Sequence, residues 1–239
     1  DRKVLYEGGH YNYIFVSRLN RLSKTLDILI EHLGDETEVI IAIKNAGYYC
    51  YLDVQSNSGD PEAQYCLADA LYYGTLGLEE NEEKALYWMT KAAEQGSPEA
   101  ECEIARWYCY GLCGLEEDEP RAVDILENAV RRGSTPAKDL LGDWYKRGIA
   151  VEQDLGKAFE LFSQASSEGL HSGTFHLSLW YANAEDVDRD PEKAFELMED
   201  LAETDYVPGM RMLGNFHFDG IGTETDQNKA LSWWRKAAE

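Results

Sequence analysis

From residue 60 onward apolar residues recur in two interleaved helical patterns. Residues three and four apart share one helix face, because 3.6 residues complete a turn. The first pattern reads Ala63-Leu67-Leu71, Ala100-Ile104-Tyr108, Ala137-Leu141-Tyr145, Gly173-Leu177-Tyr181 and Gly209-Leu213-His217. A small residue follows each central aliphatic (Ala68, Ala105, Gly142, Ser178, Gly214) and leaves room for a partner helix. The second pattern starts at Ala85, Ala122, Ala158, Ala194 and Ala230. Three and four residues on come Trp88-Met89, Ile125-Leu126, Leu161-Phe162, Leu197-Met198 and Trp233-Trp234.

The punctuation between the patterns fits helices of a dozen residues. Pro61, Pro98, Pro136 and Pro208 stand at first turns, where a missing N–H leaves no bond unmade. Gly74, Gly111, Gly148 and Gly220 close the first helices. Asn81, Asp118, Asp154, Asp190 and Asp226 open the second ones as N-caps. Gly96, Gly133 and Gly169 end them, with Asp205 in that place in the fourth. The whole arrangement repeats every 36–37 residues, over 60–96, 97–133, 134–169, 170–205 and 206–239. A helix pair cannot bury its apolar faces alone, so the expected fold is all-α: a right-handed superhelical solenoid of stacked antiparallel helix pairs.

These columns resemble the Sel-one-like repeat family, a relative of the tetratricopeptide repeats. The third repeat is the most similar, from Ala137-Leu141-Gly142-Tyr145-Gly148 through Val151-Asp154-Lys157-Ala158 to Gly169. Ala150 stands where the family has a second turn glycine. The first two repeats carry one extra residue in that turn, and the fourth has Ala184 for the turn glycine. The resemblance covers 60–239. It implies an adaptor or scaffold that binds a protein or peptide on its concave groove. Repeat proteins of this kind also occur as immunity proteins, which implies an alternative: sequestering a dedicated, basic toxin partner. A β-lactamase-like hydrolase, associated with the family's cysteine-rich branch, is a remote alternative. The second-helix column that holds cysteine in that branch holds alanine, serine or valine here.

Residues 1–59 lack the motif and are expected to form a helical N-terminal cap or degenerate repeat, which an open solenoid end needs. Tyr11–Leu33 reads as an amphipathic helix and Gly34-Asp35 breaks it. Glu36–Gln55 reads as a second helix, with Val39–Ile43 as a short buried strand in the alternative.

Composition narrows the function. The 45 acidic against 22 basic residues give a formal charge of −23. Such a field repels phosphate backbones and anionic lipid, so neither nucleic acid nor membrane insertion is expected, and a basic protein partner is. The longest apolar run is Val39–Ile43, too short to span a bilayer. Five cysteines (Cys50, Cys66, Cys102, Cys109, Cys113) are an odd number and suit a reducing compartment, hence a cytoplasmic location. The chain opens at Asp1 without a signal segment and reads as a fragment of a longer protein.

No cofactor, metal or catalytic set is expected. Asp186-Val187-Asp188-Arg189-Asp190 resembles the start of a calcium loop, but Pro191 and Leu197 fall where glycine and glutamate are required. Cys102, Cys109 and Cys113 lack the short spacing of a zinc set. His171, His176 and His217 have no nucleophile at motif spacing. The acidic runs Glu79–Glu83 and Glu116–Glu119 precede second helices, where negative charge suits the helix dipole. One column reads Ala70, Trp107, Trp144, Trp180 and Phe216, either interface anchors or inter-repeat packing. The residues around it, Tyr73, Arg106, Tyr110, Asp143 and Arg147, are the candidate binding residues of the groove.

Overall fold

A computed structural model describes residues 36–183 and 189–238. Among them are eleven helices and no strand. In chain order these are α1 (Glu36–Asn57), α2 (Pro61–Tyr72), α3 (Glu82–Glu94), α4 (Pro98–Tyr110), α5 (Glu119–Arg131) and α6 (Thr135–Arg147). Then follow α7 (Leu155–Ser167), α8 (His171–Asn183), α9 (Pro191–Glu203), α10 (Val207–Asp219) and α11 (Gln227–Ala238). The chain is thus an all-α solenoid. Residues 39–43 belong to α1, so the strand alternative is wrong: the apolar run is too short to distinguish by periodicity, and helix continues on both sides. The helix expected over Tyr11–Leu33 and most of the calcium-like segment lie outside the described residues.

Each second helix starts where the capping residue places it. The Oδ1 atoms of Asn81, Asp118, Asp154, Asp190 and Asp226 accept from the backbone N–H three residues on, at 2.9 to 3.0 Å. Asp60, Ser97 and Ser134 cap first helices in the same way, whereas Tyr206 before α10 makes no capping bond.

Several turns require left-handed backbone, and not all supply glycine. Gly96, Gly133 and Gly169 take φ values of 82–89°, and Asp205 holds the same position at 61°. Ala150 stays left-handed at 56°, as do Leu76 and Cys113 in the corresponding turns. In the fifth repeat this position is Gly222, where an added Cβ would lie 2.0 Å from the Pro191 carbonyl.

Contacts divide the chain into two compact units, Asp1–Ala92 and Ala93–Glu239. In the first, α1 packs on α2, and Gln64 Nε2 donates to the Ser56 carbonyl at 3.0 Å. The helix α1 ends as second helices do, with Gly59 at φ 96° followed by the capping Asp60. In the second unit α4–α5, α6–α7, α8–α9 and α10–α11 are antiparallel pairs, each packed on the next. The first helices α4 and α6 also touch directly. The alanines at the head of the second pattern are the tightest points: Ala85, Ala122, Ala158, Ala194 and Ala230 are fully buried. Gly173 shows how tight: a Cβ there would lie 2.7 Å from that of Ala165.

Candidate interaction surface

The candidate residues of the second unit sit on the outward sides of α4 and α6, at matching places in consecutive repeats. Arg106 and Asp143 occupy one register position, and Tyr110 and Arg147 the next, one turn along. Tyr110 is 52 % exposed. Arg147 donates from Nε to Asp143 Oδ1 at 2.9 Å and from a terminal nitrogen to Oδ2 at 2.5 Å, a two-pronged pair that fixes the guanidinium plane. Asp143, and more weakly Tyr110, raise the affinity of that guanidinium for its proton. Arg106 pairs with Glu103 one turn back on α4. Tyr73, the C-cap of α2, belongs to the first unit, is 59 % exposed and meets Tyr72 edge-on. The second-unit residues therefore form an exposed tyrosine, an exposed fixed guanidinium and a paired arginine.

The large aromatic column between them is core. Trp107, Trp144, Trp180 and Phe216 are 1–6 % exposed, so the interface alternative for these rings is wrong. Trp144, Trp180 and Phe216 fill the gaps between repeats of the second unit; Trp180, for example, packs against Phe159 and Phe162 of α7. Burial rather than solvent decides the column, because a stacked repeat must fill its inner face.

Other candidate chemistry resolves as packing. Cys102, Cys109 and Cys113 are buried, and burial pushes the Cys102 thiol up to about 12. No group of three or more potential metal ligands is found among the described residues. His217 is buried against Phe195, and its Nδ1 has no hydrogen-bond partner among the described residues. One arrangement escaped the sequence reading: His176 Nδ1 lies 2.8 Å from Asp139 Oδ1, between α8 and α6. The signal was present, since the two are 37 residues apart, one repeat length.

Charge is distributed unevenly. The four first helices of the second unit (α4, α6, α8, α10) carry five basic and six acidic residues, close to balance. The acidic excess lies on the second helices and turns, as at Glu116, Glu117, Glu119, Asp124 and Glu127. The acidic excess of the second unit therefore lies off the first helices that carry the candidate residues.

An array of helix pairs with these columns defines a repeat protein of the interaction type. The Sel1 repeat matches residues 61–97, 98–134, 136–170, 171–203 and 207–239, and the chain belongs to that family. Among solved structures it is similar to a protective antigen of uropathogenic Escherichia coli with an SLR fold. That pair is 28 % identical with a TM-score of 0.59, over 80 % of this chain and 40 % of the antigen. It is similar to a Sel1 repeat protein of Oxalobacter formigenes at 24 % identity and TM-score 0.63, over 80 % of this chain and 54 % of the other. An immunity protein of Pseudomonas aeruginosa has the same fold at 18 % identity and TM-score 0.60, over 87 % of this chain and 84 % of the other. The chain spans about half the length or less of the first two. No curated protein matches. No helix among the described residues is long and apolar enough to cross a membrane.

Proposed function

We propose that the chain is a non-catalytic module that binds a protein or peptide on the groove formed by its first helices. The observation that carries this reading is the exposed Tyr110 beside the Asp143-braced Arg147. Aromatic and arginine side chains held rigid at the surface lose little entropy on binding and dominate interface energies. Arg106 extends the same surface, and Tyr73 supplies a further exposed aromatic in the first repeat. The partner is basic: the surrounding −23 field draws cationic surfaces in, and the groove, close to balance itself, makes the final contacts. An immunity-type role, with one dedicated basic toxin as the occupant, is the special case favoured by the likeness in fold to the P. aeruginosa immunity protein. Residues 1–59 act as an N-terminal cap or degenerate repeat, a reading supported by the repeat-like end of α1 at Gly59.

Affinity capture with the purified chain, read by mass spectrometry, supplies the partner for the test. Arg106→Ala combined with Tyr110→Ala is expected to weaken its binding by roughly a hundredfold or more, since such anchors are worth about 2 kcal/mol each and about 1.4 kcal/mol is tenfold. The association rate should fall as salt rises. Unchanged affinity in the double variant, together with a rate indifferent to salt, rejects the groove. Turnover of a chromogenic lactam would revive the hydrolase instead.

A further inference from the structure

The seam between consecutive first helices changes character along the second unit. Repeat register places Cys102 against Leu140 and Phe175 against Met212, both apolar pairs within hydrophobic clusters. Between them the same register pair is Asp139 and His176, joined by the 2.8 Å hydrogen bond. A charged carboxylate in a seam is costly unless it is paired, and one hydrogen bond to imidazole leaves most of its capacity unused. Asp139 makes no other hydrogen bond among the described residues, and its side chain keeps 13 % of its surface open. Its neighbour Lys138 gives no compensation, being tied to Glu168.

A run of aromatic rings leads away from the imidazole that holds this carboxylate. Phe175 meets both His176 and Tyr206 edge-on, with centroids 6.0 and 6.3 Å apart. Tyr206 also lies 5.5 Å from the exposed His171. Tyr206 belongs to the fifth repeat and meets α8, the helix whose His176 holds Asp139, through Phe175 and His171. Burial first, and then Asp139, push its phenol above the usual range. Tyr206 performs no capping for α10, although it stands at the cap position.

We propose that Asp139, His176, Phe175 and Tyr206 form a second recognition point, which takes an arginine side chain of a protein partner. A guanidinium is the group that stacks flat on aromatic rings while donating in its own plane to a carboxylate. It brings a full positive charge to the carboxylate's unused acceptor sites. The point lies near the start of α6, and Arg147 at its end, eight residues or ~12 Å along the helix. The proposal rests on the reading of this surface as protein-binding, but none of its residues is shared with the Arg106–Tyr110–Arg147 group.

The test uses the full chain and N-acetyl-arginine amide as the probe, with the neutral citrulline analogue as its isosteric control. Ring resonances of His171, His176 and Tyr206 are followed by NMR. Saturable shifts at about 1–10 mM are expected, as for a single side chain. Citrulline should bind at least fivefold more weakly, and Asp139→Asn and Tyr206→Leu should each weaken arginine to the same degree. Arg106→Ala with Tyr110→Ala should leave this titration unchanged while weakening the partner, so the two readings fail separately. Equal shifts with citrulline, absence of saturation, or an arginine response untouched by both Asp139→Asn and Tyr206→Leu overturn the proposal. Circular dichroism checks folding; where the Asp139 variant loses helix, the Tyr206 variant decides.

Discussion

In the three repeats before it, the place of His217 is held by a tyrosine whose ring carries a cation from the following helix. Arg121 lies 4.2 Å over Tyr108, Lys157 4.7 Å over Tyr145 and Lys193 4.3 Å over Tyr181. His217 keeps the position and changes the sign of the interaction, because a protonated imidazole repels Lys229. Burial foremost, and then Lys229, hold its imidazole below the ordinary histidine range, against the opposite pull of Asp226 and Glu199. The unfolded chain takes up the proton near the ordinary value of about 6.5, before the folded chain does. Stability is therefore full above that pH and falls as pH drops from there through the depressed folded value. His217→Tyr restores the ring beneath Lys229 and removes this window. The melting temperature of the variant should change less than that of the parent between about pH 7.5 and 5.5. Equal losses in the two proteins would place the acid sensitivity elsewhere.

Among the elements, the crossing of the two helices within a repeat is the most sensitive contact. Ala158 on α7 is fully buried, and on the facing helix a Cβ added at Gly142 would lie 3.0 Å from the Phe162 ring. No volume remains between α6 and α7 for a larger side chain. Ala158→Trp is expected to destabilise the protein by about 3 kcal/mol or more, since overpacking forces backbone shifts. Thermal or urea unfolding measures this, and a midpoint within error of the parent would mean that the crossing lies elsewhere. The capping residues belong to the same scale: Asp154 and its equivalents fix where each second helix starts, and so fix which alanine meets the crossing.

For the molecule as a whole, stability in the second unit is a sum of repeat and interface terms. The last pair, α10 and α11, packs on α9 and on itself. Removing 206–239 exposes one apolar face and leaves the remaining interfaces intact. The truncated protein should remain helical by circular dichroism and melt at a lower temperature. Loss of all helical signal would contradict a linear array. The −23 charge also acts at this scale, because its excess on second helices and turns sets a long-range field with little say in the contacts themselves.

The caps and the alanine crossings were legible in the sequence alone. Each is a local requirement met within one repeat, and five copies make it visible as a column. Left-handed Asp205 and Ala150 belong with these, since alignment marks the position even where glycine is missing. The tertiary structure decided what depends on neighbours. Trp144 and Trp180 are core because stacked repeats cover them, which no single helix face reveals. Asp139 and His176 meet across a seam, with Tyr206 of the next repeat packed on the adjoining Phe175. A pattern along one helix states which residues face inward, but only the stacking register states which inward residues meet.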